Sequence, residues 1–170
     1  MNLLKNLLVI VSLIVFSSGY SMAQNSFSKD GVSFKYPSDW EITEQNDLDG
    51  NGYYLAIEKI GEEESGLVVI TWINKEIEGE EYMKIIQDQY KDQEDLESLT
   101  FETTKKSTFN KVPSVSVNMK FDLDDRNFKA LIHTFVSTER TFLVLKQNVY
   151  EDISKNKEAF NLIESTFQIK

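Results

Sequence analysis

Three strand-length segments in the second half of the chain constrain its fold more than any other feature. From 115 to 123, apolar residues occupy the odd positions and polar residues the even positions, a period typical of a strand with one buried face. The segments 128–137 and 141–150 are rich in β-branched and aromatic residues, and only three or four residues separate neighbouring segments. Because connections this short join antiparallel strands, we expect hairpins. The middle segment is apolar on both faces and is predicted to be a central strand.

The first half of the chain predicts more strands, and two helical patterns complete the order. Apolar runs bounded by Gly or Pro predict strands at 32–36, 40–44, 53–59 and 67–74. A change to a period of three and four predicts a helix over 80–93, with the stripe Tyr82, Ile85, Ile86 and Tyr90. A second helix is predicted after a cap at Asp152 or Ser154, with the stripe Ala159, Phe160, Ile163 and Phe167. This order predicts the α+β class, an antiparallel sheet of about six to eight strands flanked by two main helices.

Residues 1–23 have the pattern of a signal peptide. The apolar run 7–16 is ten residues long, which suits a signal peptide, whereas a transmembrane helix needs about 20 residues. Ser21 and Ala23 are small residues at the −3 and −1 positions, so we expect cleavage between Ala23 and Gln24. An uncleaved anchor is the alternative. Cleavage leaves one domain, 24–170, in the periplasm or outside the cell, with no integral membrane segment.

Charge and composition exclude several functions. The net charge is −10, which disfavours nucleic acid, because that affinity comes mainly from Lys and Arg. The chain has no Cys and one His, so disulfides, thiol chemistry and multi-histidine zinc sites are excluded. His133 lies in an apolar strand and is interpreted as a structural residue. A hydrolase that uses a pair of carboxylates remains an alternative function, because acidic residues are numerous. No sequence motif or spacing identifies a particular pair, however.

The segment 76–97 carries nine acidic residues and two lysines, a net charge of −7. The simplest interpretation is a solvated helix face, and the alternative is a docking surface for a basic partner. Glu80, Glu81 and Asp88 are the candidate partner-binding residues in this segment.

The segment 47–52, with Glu58 beyond it, matches the calcium-binding EF-hand pattern position by position. The flanking segments are predicted strands, however, and Glu58 would lie too far along the second strand to close a cage around an ion. A hairpin loop explains the same residues. A weak calcium site formed by Asp47, Asp49 and Asn51 is the alternative, and calcium is the one cofactor that we consider.

Short motifs near both ends resemble the PsbP-like superfamily. The run 30–42 resembles its opening strand, which ends in Tyr36-Pro37 and is followed by Trp40, and the segment 160–167 resembles its closing helix. The segment 110–115 resembles its central hairpin, although Lys111 stands where Gly is common, and Thr166 interrupts the closing motif. The resemblance implies an antiparallel sheet flanked by helices and a non-catalytic binding or assembly role. Trp40 is interpreted as covering the edge of the core, with partner binding as the alternative.

These observations together predict an exported, non-enzymatic protein-binding or assembly module whose partner is another envelope or secreted protein. The alternative is a small-ligand carrier with an apolar cleft. Residues expected to line such a cleft are Tyr53, Trp72, Tyr82 and Tyr90.

Overall fold

The computed structural model describes residues 23–61 and 66–170. The strands in this part of the chain are β1 (Gln24–Lys29), β2 (Val32–Pro37), β3 (Trp40–Asp47), β4 (Gly52–Lys59), β5 (Gly66–Ile73), β6 (Glu97–Phe101), β7 (Lys105–Phe109), β8 (Val112–Leu123), β9 (Arg126–Ser137), β10 (Arg140–Val149) and β11 (Gln168–Ile169). The helices are α1 (Gly79–Lys91) and α2 (Ile153–Thr166), and a 3₁₀ turn at Tyr150–Asp152 leads into α2. None of the described helices is long and apolar enough to cross a membrane. The predicted signal peptide lies outside the described residues, apart from Ala23.

The strands form two antiparallel sheets. The larger sheet has eight strands in the order β3-β4-β5-β10-β9-β8-β6, and β7 also pairs with β8. The smaller sheet has the order β1-β2-β11. The predicted α+β class, with an antiparallel sheet of six to eight strands and two main helices, is confirmed. The smaller sheet was not predicted.

Strand β9 is central, as its apolar faces predicted. It lies between β8 and β10, and Ile132 pairs with Val117 on one side and with Leu145 on the other. The predicted first-half strands correspond to β2 through β5, and β3 extends three residues beyond the prediction. Helix α1 ends at Lys91, two residues before the predicted end, and the N–H of the C-terminal cap residue Asp92 bonds the carbonyl of Asp88.

Both faces of the larger sheet are buried. Helix α1 covers one face through Tyr82, Met83 and Ile86, and helix α2 and the smaller sheet cover the other. The side chains of β10 alternate between the two cores. Leu143 and Leu145 belong to the first core, which α1 covers, and Phe142 and Val144 belong to the second core, which α2 and the smaller sheet cover. Successive residues of a strand point to opposite faces, so a strand buried on both sides is apolar at nearly every position.

Phe167 connects the parts of the second core. Its ring stacks on Phe34 of the smaller sheet, with the ring centroids 6.0 Å apart. It also meets Phe109, Phe135 and Phe142 edge-on, at centroid distances of 5.2, 6.4 and 6.3 Å. Phe167 directly follows α2, so this one side chain contacts both sheets where the last helix ends.

We expect Phe167→Ala to lower the free energy of unfolding by about 3–5 kcal/mol, because it removes a buried ring and leaves a cavity between the sheets. Urea unfolding followed by tryptophan fluorescence measures the change. Ile60→Ala is the control, because Ile60 is 49% exposed and its truncation should change stability by less than about 0.5 kcal/mol. Equal effects of the two substitutions would contradict the connecting role of Phe167.

Candidate functional site

Two buried threonines fix the position of α1 on the sheet. Thr134 Oγ1 donates to the carbonyl of Gly79, and Thr141 Oγ1 donates to the carbonyl of Lys75, both at 2.7 Å. Thr141 Oγ1 also accepts from the N–H of Ile77 at 2.7 Å. These bonds hold the first turn of α1 and the segment before it. The direction in which the first-turn side chains leave the sheet is therefore defined.

The outer side of α1 and the segments next to it form an acidic surface, by which we mean the acidic side chains of residues 76–97. All nine of them are exposed, including the candidates Glu80, Glu81 and Asp88. Glu80 and Glu81 lie in the first turn, where the helix dipole favours negative charge. Lys91 Nζ donates to Asp88 Oδ1 at 2.9 Å, and this hydrogen bond lowers the pKa of Asp88. The structure therefore places the three candidate residues on one exposed helix.

An isoleucine interrupts the acidic surface. Ile85 is 39% exposed, although it belongs to the predicted apolar stripe of the helix. Glu81 and Asp88 stand four residues before it and three residues after it, which makes them its neighbours on the helix surface. The acidic surface thus contains one exposed apolar side chain, Ile85, with acidic residues beside it on the helix.

Trp40 is a core residue. It is 2% exposed, and its indole meets the Phe160 ring edge-on with the ring centroids 5.7 Å apart. The indole also lies over Gly66, where an added Cβ would be 2.6 Å from the ring. The side chain is therefore inaccessible to a partner, which removes Trp40 from the predicted partner-binding residues.

The segment 47–52 forms the turn between β3 and β4. The Gly50 N–H donates to Asp47 Oδ1 at 2.6 Å, and Asn51 Nδ2 donates to the Asp49 carbonyl at 3.4 Å. Glu58 lies on β4, where its carboxylate accepts from Thr43 Oγ1 at 2.8 Å. Within the described residues, no three His, Asp or Glu side chains group closely enough to hold a metal ion. The turn has the hydrogen bonds of a hairpin loop, and the calcium site using Asp47, Asp49 and Asn51 stays a prediction.

His133 belongs to a buried polar cluster that sequence reasoning did not predict. Ser114 Oγ lies 3.1 Å from His133 Nδ1, and nearby Lys146 Nζ donates to Glu164 Oε2 at 2.6 Å. Burial, together with the positive charge of Lys146, lowers the pKa of His133 to about 4, so the imidazole is neutral at pH 7. Ser114 and His133 are only 7% and 4% exposed. Their contact therefore packs the core and does not present a nucleophile to solvent.

The aromatic residues expected to line one apolar cleft lie on opposite faces of the larger sheet. Tyr53 and Trp72 stack on each other, with centroids 5.0 Å apart, in the core that α2 covers. Tyr82 and Tyr90 pack in the core that α1 covers. The prediction that these four residues line one cleft was therefore wrong. The periodicity of a strand or helix shows which of its sides is apolar, but it does not specify which face of the sheet that side meets.

Comparison with known proteins finds similarity of structure. No protein-family model matches the sequence, and no curated protein matches it. A structure from Bacteroides thetaiotaomicron is 15% identical with a TM-score of 0.58, over 88% of this chain and 49% of that one, so the chain spans about half the length of that relative.

Two further structures match over most of their own length. Cyanobacterial PsbP (CyanoP) from Synechocystis is 16% identical with a TM-score of 0.55, over 91% of this chain and 98% of that one. LpqN of Mycobacterium tuberculosis, which is involved in cell envelope biogenesis, is 8% identical with a TM-score of 0.50, over 89% and 87%. The chain therefore has the PsbP-like fold, as the motifs at its two ends predicted.

We expect about 1 mM calcium, the concentration at which extracellular sites fill, to leave the melting temperature unchanged if the 47–52 turn is a plain hairpin. Asp47→Ala should lower stability by about 1 kcal/mol with or without calcium, because it removes the acceptor for the Gly50 N–H. Thermal unfolding measures both effects. A calcium-dependent rise that disappears in Asp49→Ala would instead establish the weak calcium site.

We expect the titration of His133 to make the free energy of unfolding decrease as the pH is lowered below neutral. Its pKa of about 4 in the folded chain lies below the unfolded value of about 6.5, so the unfolded chain binds more protons between these values. The free energy of unfolding should therefore decrease as the pH falls, by about 2 kcal/mol from His133 alone between about pH 7.5 and pH 5.

Urea unfolding of the wild type and of His133→Gln at both pH values isolates this contribution, because the carboxylates titrate in both proteins. The variant should lose less stability over the same range, whatever its stability at neutral pH. Identical losses would show that His133 does not titrate as its burial implies.

Proposed function

We propose that this chain is an exported, non-enzymatic binding module and that α1 is the element that contacts its partner. The observation that carries the proposal is Ile85, an exposed apolar side chain with Glu81 and Asp88 beside it on the helix. Protein interfaces commonly combine an apolar anchor with a charged rim. The partner that fits is an envelope or secreted protein presenting a basic segment with an apolar side chain.

Charge supports a basic partner. The nine exposed acidic residues of 76–97 are opposed by Lys84 and Lys91, so the field at this surface attracts cations and repels phosphate and anionic lipid. Complementary charge speeds encounter and selects among partners, and burial of Ile85 would supply an apolar contribution. A rigid docking of α1 on the sheet favours recognition without rearrangement, because the helix is already held by Thr134 and Thr141.

Chemistry and fold support a role without catalysis. The Ser114–His133 contact is buried and offers no nucleophile to a substrate. The acid of a glycosidase needs a raised pKa, whereas hydrogen bonds and nearby lysines lower the pKa of Asp88 and of Glu102. CyanoP and LpqN share the fold, and LpqN is involved in cell envelope biogenesis. Export rests on the signal peptide predicted at residues 1–23.

The test is capture of a partner from envelope extract by the immobilised protein, with identification by mass spectrometry. The α1 variant carries Glu80→Lys, Glu81→Lys and Asp88→Lys. The matched control carries Glu41→Lys, Glu151→Lys and Glu158→Lys, which change the net charge equally at exposed positions outside α1. We expect the wild type and the control to retain a basic protein that the α1 variant loses.

Capture should also weaken as salt rises from about 0.1 M to about 1 M, because the screening length shortens from roughly 10 Å to 3 Å. Ile85→Ala should reduce capture without changing the net charge. Retention of the same proteins by all variants, or of none by the wild type, would contradict the proposed role of α1.

A further inference from the structure

A basic cleft lies between α2 and the larger sheet, on the face opposite α1. Its volume is about 250 Å³, and strands β8, β9 and β10 form its floor. Its polar lining consists of three lysines and three asparagines: Lys129, Lys146, Lys157, Asn118, Asn148 and Asn161. Among the residues that the structure describes, no Asp or Glu lines this cleft, although the lining residue Asn118 donates from Nδ2 to Glu102 Oε2 at 2.8 Å. The chain as a whole carries a net charge of −10.

The fold assembles this cleft from three strands and one helix face. On the sheet, Leu131 pairs with Lys146 of β10, and Lys129 pairs with Asn148. On α2, Lys157 and Asn161 are separated by four residues and therefore project from the same side of the helix. Residues distant in the sequence thus present their polar ends to one space.

The charge balance leaves positive charge in the cleft. Lys146 is compensated, because its Nζ lies 2.6 Å from Glu164 Oε2. Neighbouring Lys120 has Glu102 at 3.8 Å. Among the described residues, neither Lys129 nor Lys157 has a carboxylate oxygen within 4.0 Å of its Nζ. The negative charge of Glu102 acts on Lys129 without forming an ion pair with it, so the charge of Lys129 is only partly compensated. Two ammonium groups on opposite walls therefore favour an anion between them.

Asn148 adds a hydrogen-bond donor. Its side chain is 6% exposed, and its Oδ1 already accepts from Asn156 Nδ2 at 2.9 Å. The group that it can offer to a ligand is therefore its N–H, which suits an anionic oxygen. Apolar groups complete the walls, because Leu131, Ile153 and Phe160 also line the cleft. The cleft thus combines positive charge and hydrogen-bond donors with an apolar wall.

We propose that this cleft binds a small amphipathic organic anion, with its anionic head held between Lys129 and Lys157 and its apolar part against Ile153 and Phe160. At the packing density of protein interiors, the cleft accommodates on the order of ten non-hydrogen atoms. A medium-chain carboxylate has this size and chemistry, and an alkyl phosphate shares them. The proposal is independent of partner binding by α1, because the two helices cover opposite faces of the larger sheet.

The test uses protein purified from cells that express the full chain, and the probe is octanoate. Calorimetry measures affinity, and amide chemical shifts locate the binding site. Octylamine and octanol keep the apolar chain without the negative charge, acetate and inorganic phosphate keep the charge without the chain, and octyl phosphate replaces the head. Octanoate should bind and shift amides of α2 and of β8 to β10, whereas the neutral, cationic and chain-free probes should bind at least about tenfold more weakly.

The cleft variant is Lys129→Gln with Lys157→Gln, and the control is Lys35→Gln with Lys75→Gln, which removes equal charge from exposed positions elsewhere. Octanoate affinity should fall about tenfold or more in the cleft variant and stay unchanged in the control, with both variants retaining the wild-type melting temperature to within a few degrees. Tighter binding of octyl phosphate would identify the head as a phosphate. Equal binding of octanol, equal losses in both variants, or no measurable binding of octanoate would overturn the proposal.

Discussion

The edge-on packing of Phe167 against rings of the larger sheet is the contact on which the two-sheet arrangement depends. Strand β11 pairs with β2 over only two residues, so backbone hydrogen bonds alone attach the end of the chain weakly. The same Phe167 ring stacks on Phe34 of β2 and reaches Phe109, Phe135 and Phe142. Edge-to-face and offset contacts of this kind add to the stability gained by burial alone. The smaller sheet is held mainly by its side chains, and the C-terminal end of α2 is fixed against both sheets as a result.

A second constraint comes from the polar residues that the central strands bury. Lys146 is on β10 and its partner Glu164 is on α2, with their side chains 10% and 29% exposed. Burying a charge is costly unless it is paired, so a shift of α2 along the sheet would leave Lys146 without its partner. Asn156 of α2 also donates from Nδ2 to Oδ1 of Asn148, which lies two residues after Lys146 on the same face of β10. These two pairs select one position of the helix among the many that apolar packing would allow.

The sequence predicted the elements with strong periodicity and missed those whose existence depends on distant residues. The alternation at 115–123 predicted β8, and the apolar faces of 128–137 predicted that β9 is central. Strands β1, β6 and β7 were missed because they are mostly polar, and β11 was missed because it is two residues long. Their strand conformation comes from pairing with β2 or β8, which no local pattern records.

The sites show the same division. The exposed acidic residues could be predicted, because charge density along one helix is a local property. The cleft could not, since Lys129, Lys146 and Lys157 come together only through the register of β9 with β10 and the placement of α2. The one local sign was Lys146, a lysine within the otherwise apolar segment 141–150. Trp40 could be assigned to the core from its position after Pro37, but its contact with Phe160 depends on the closing helix.

The pairing of β2 with strands from distant parts of the chain determines when folding can finish. Strand β2 has β1 on one side and β11 on the other, and Ser33 pairs with Gln168, 135 residues later. During synthesis, β1 and β2 would emerge long before the strand that completes their sheet. Contacts between such distant residues slow folding, because a long loop must close before they form. The smaller sheet therefore stays incomplete during synthesis until β11 is available to pair with β2.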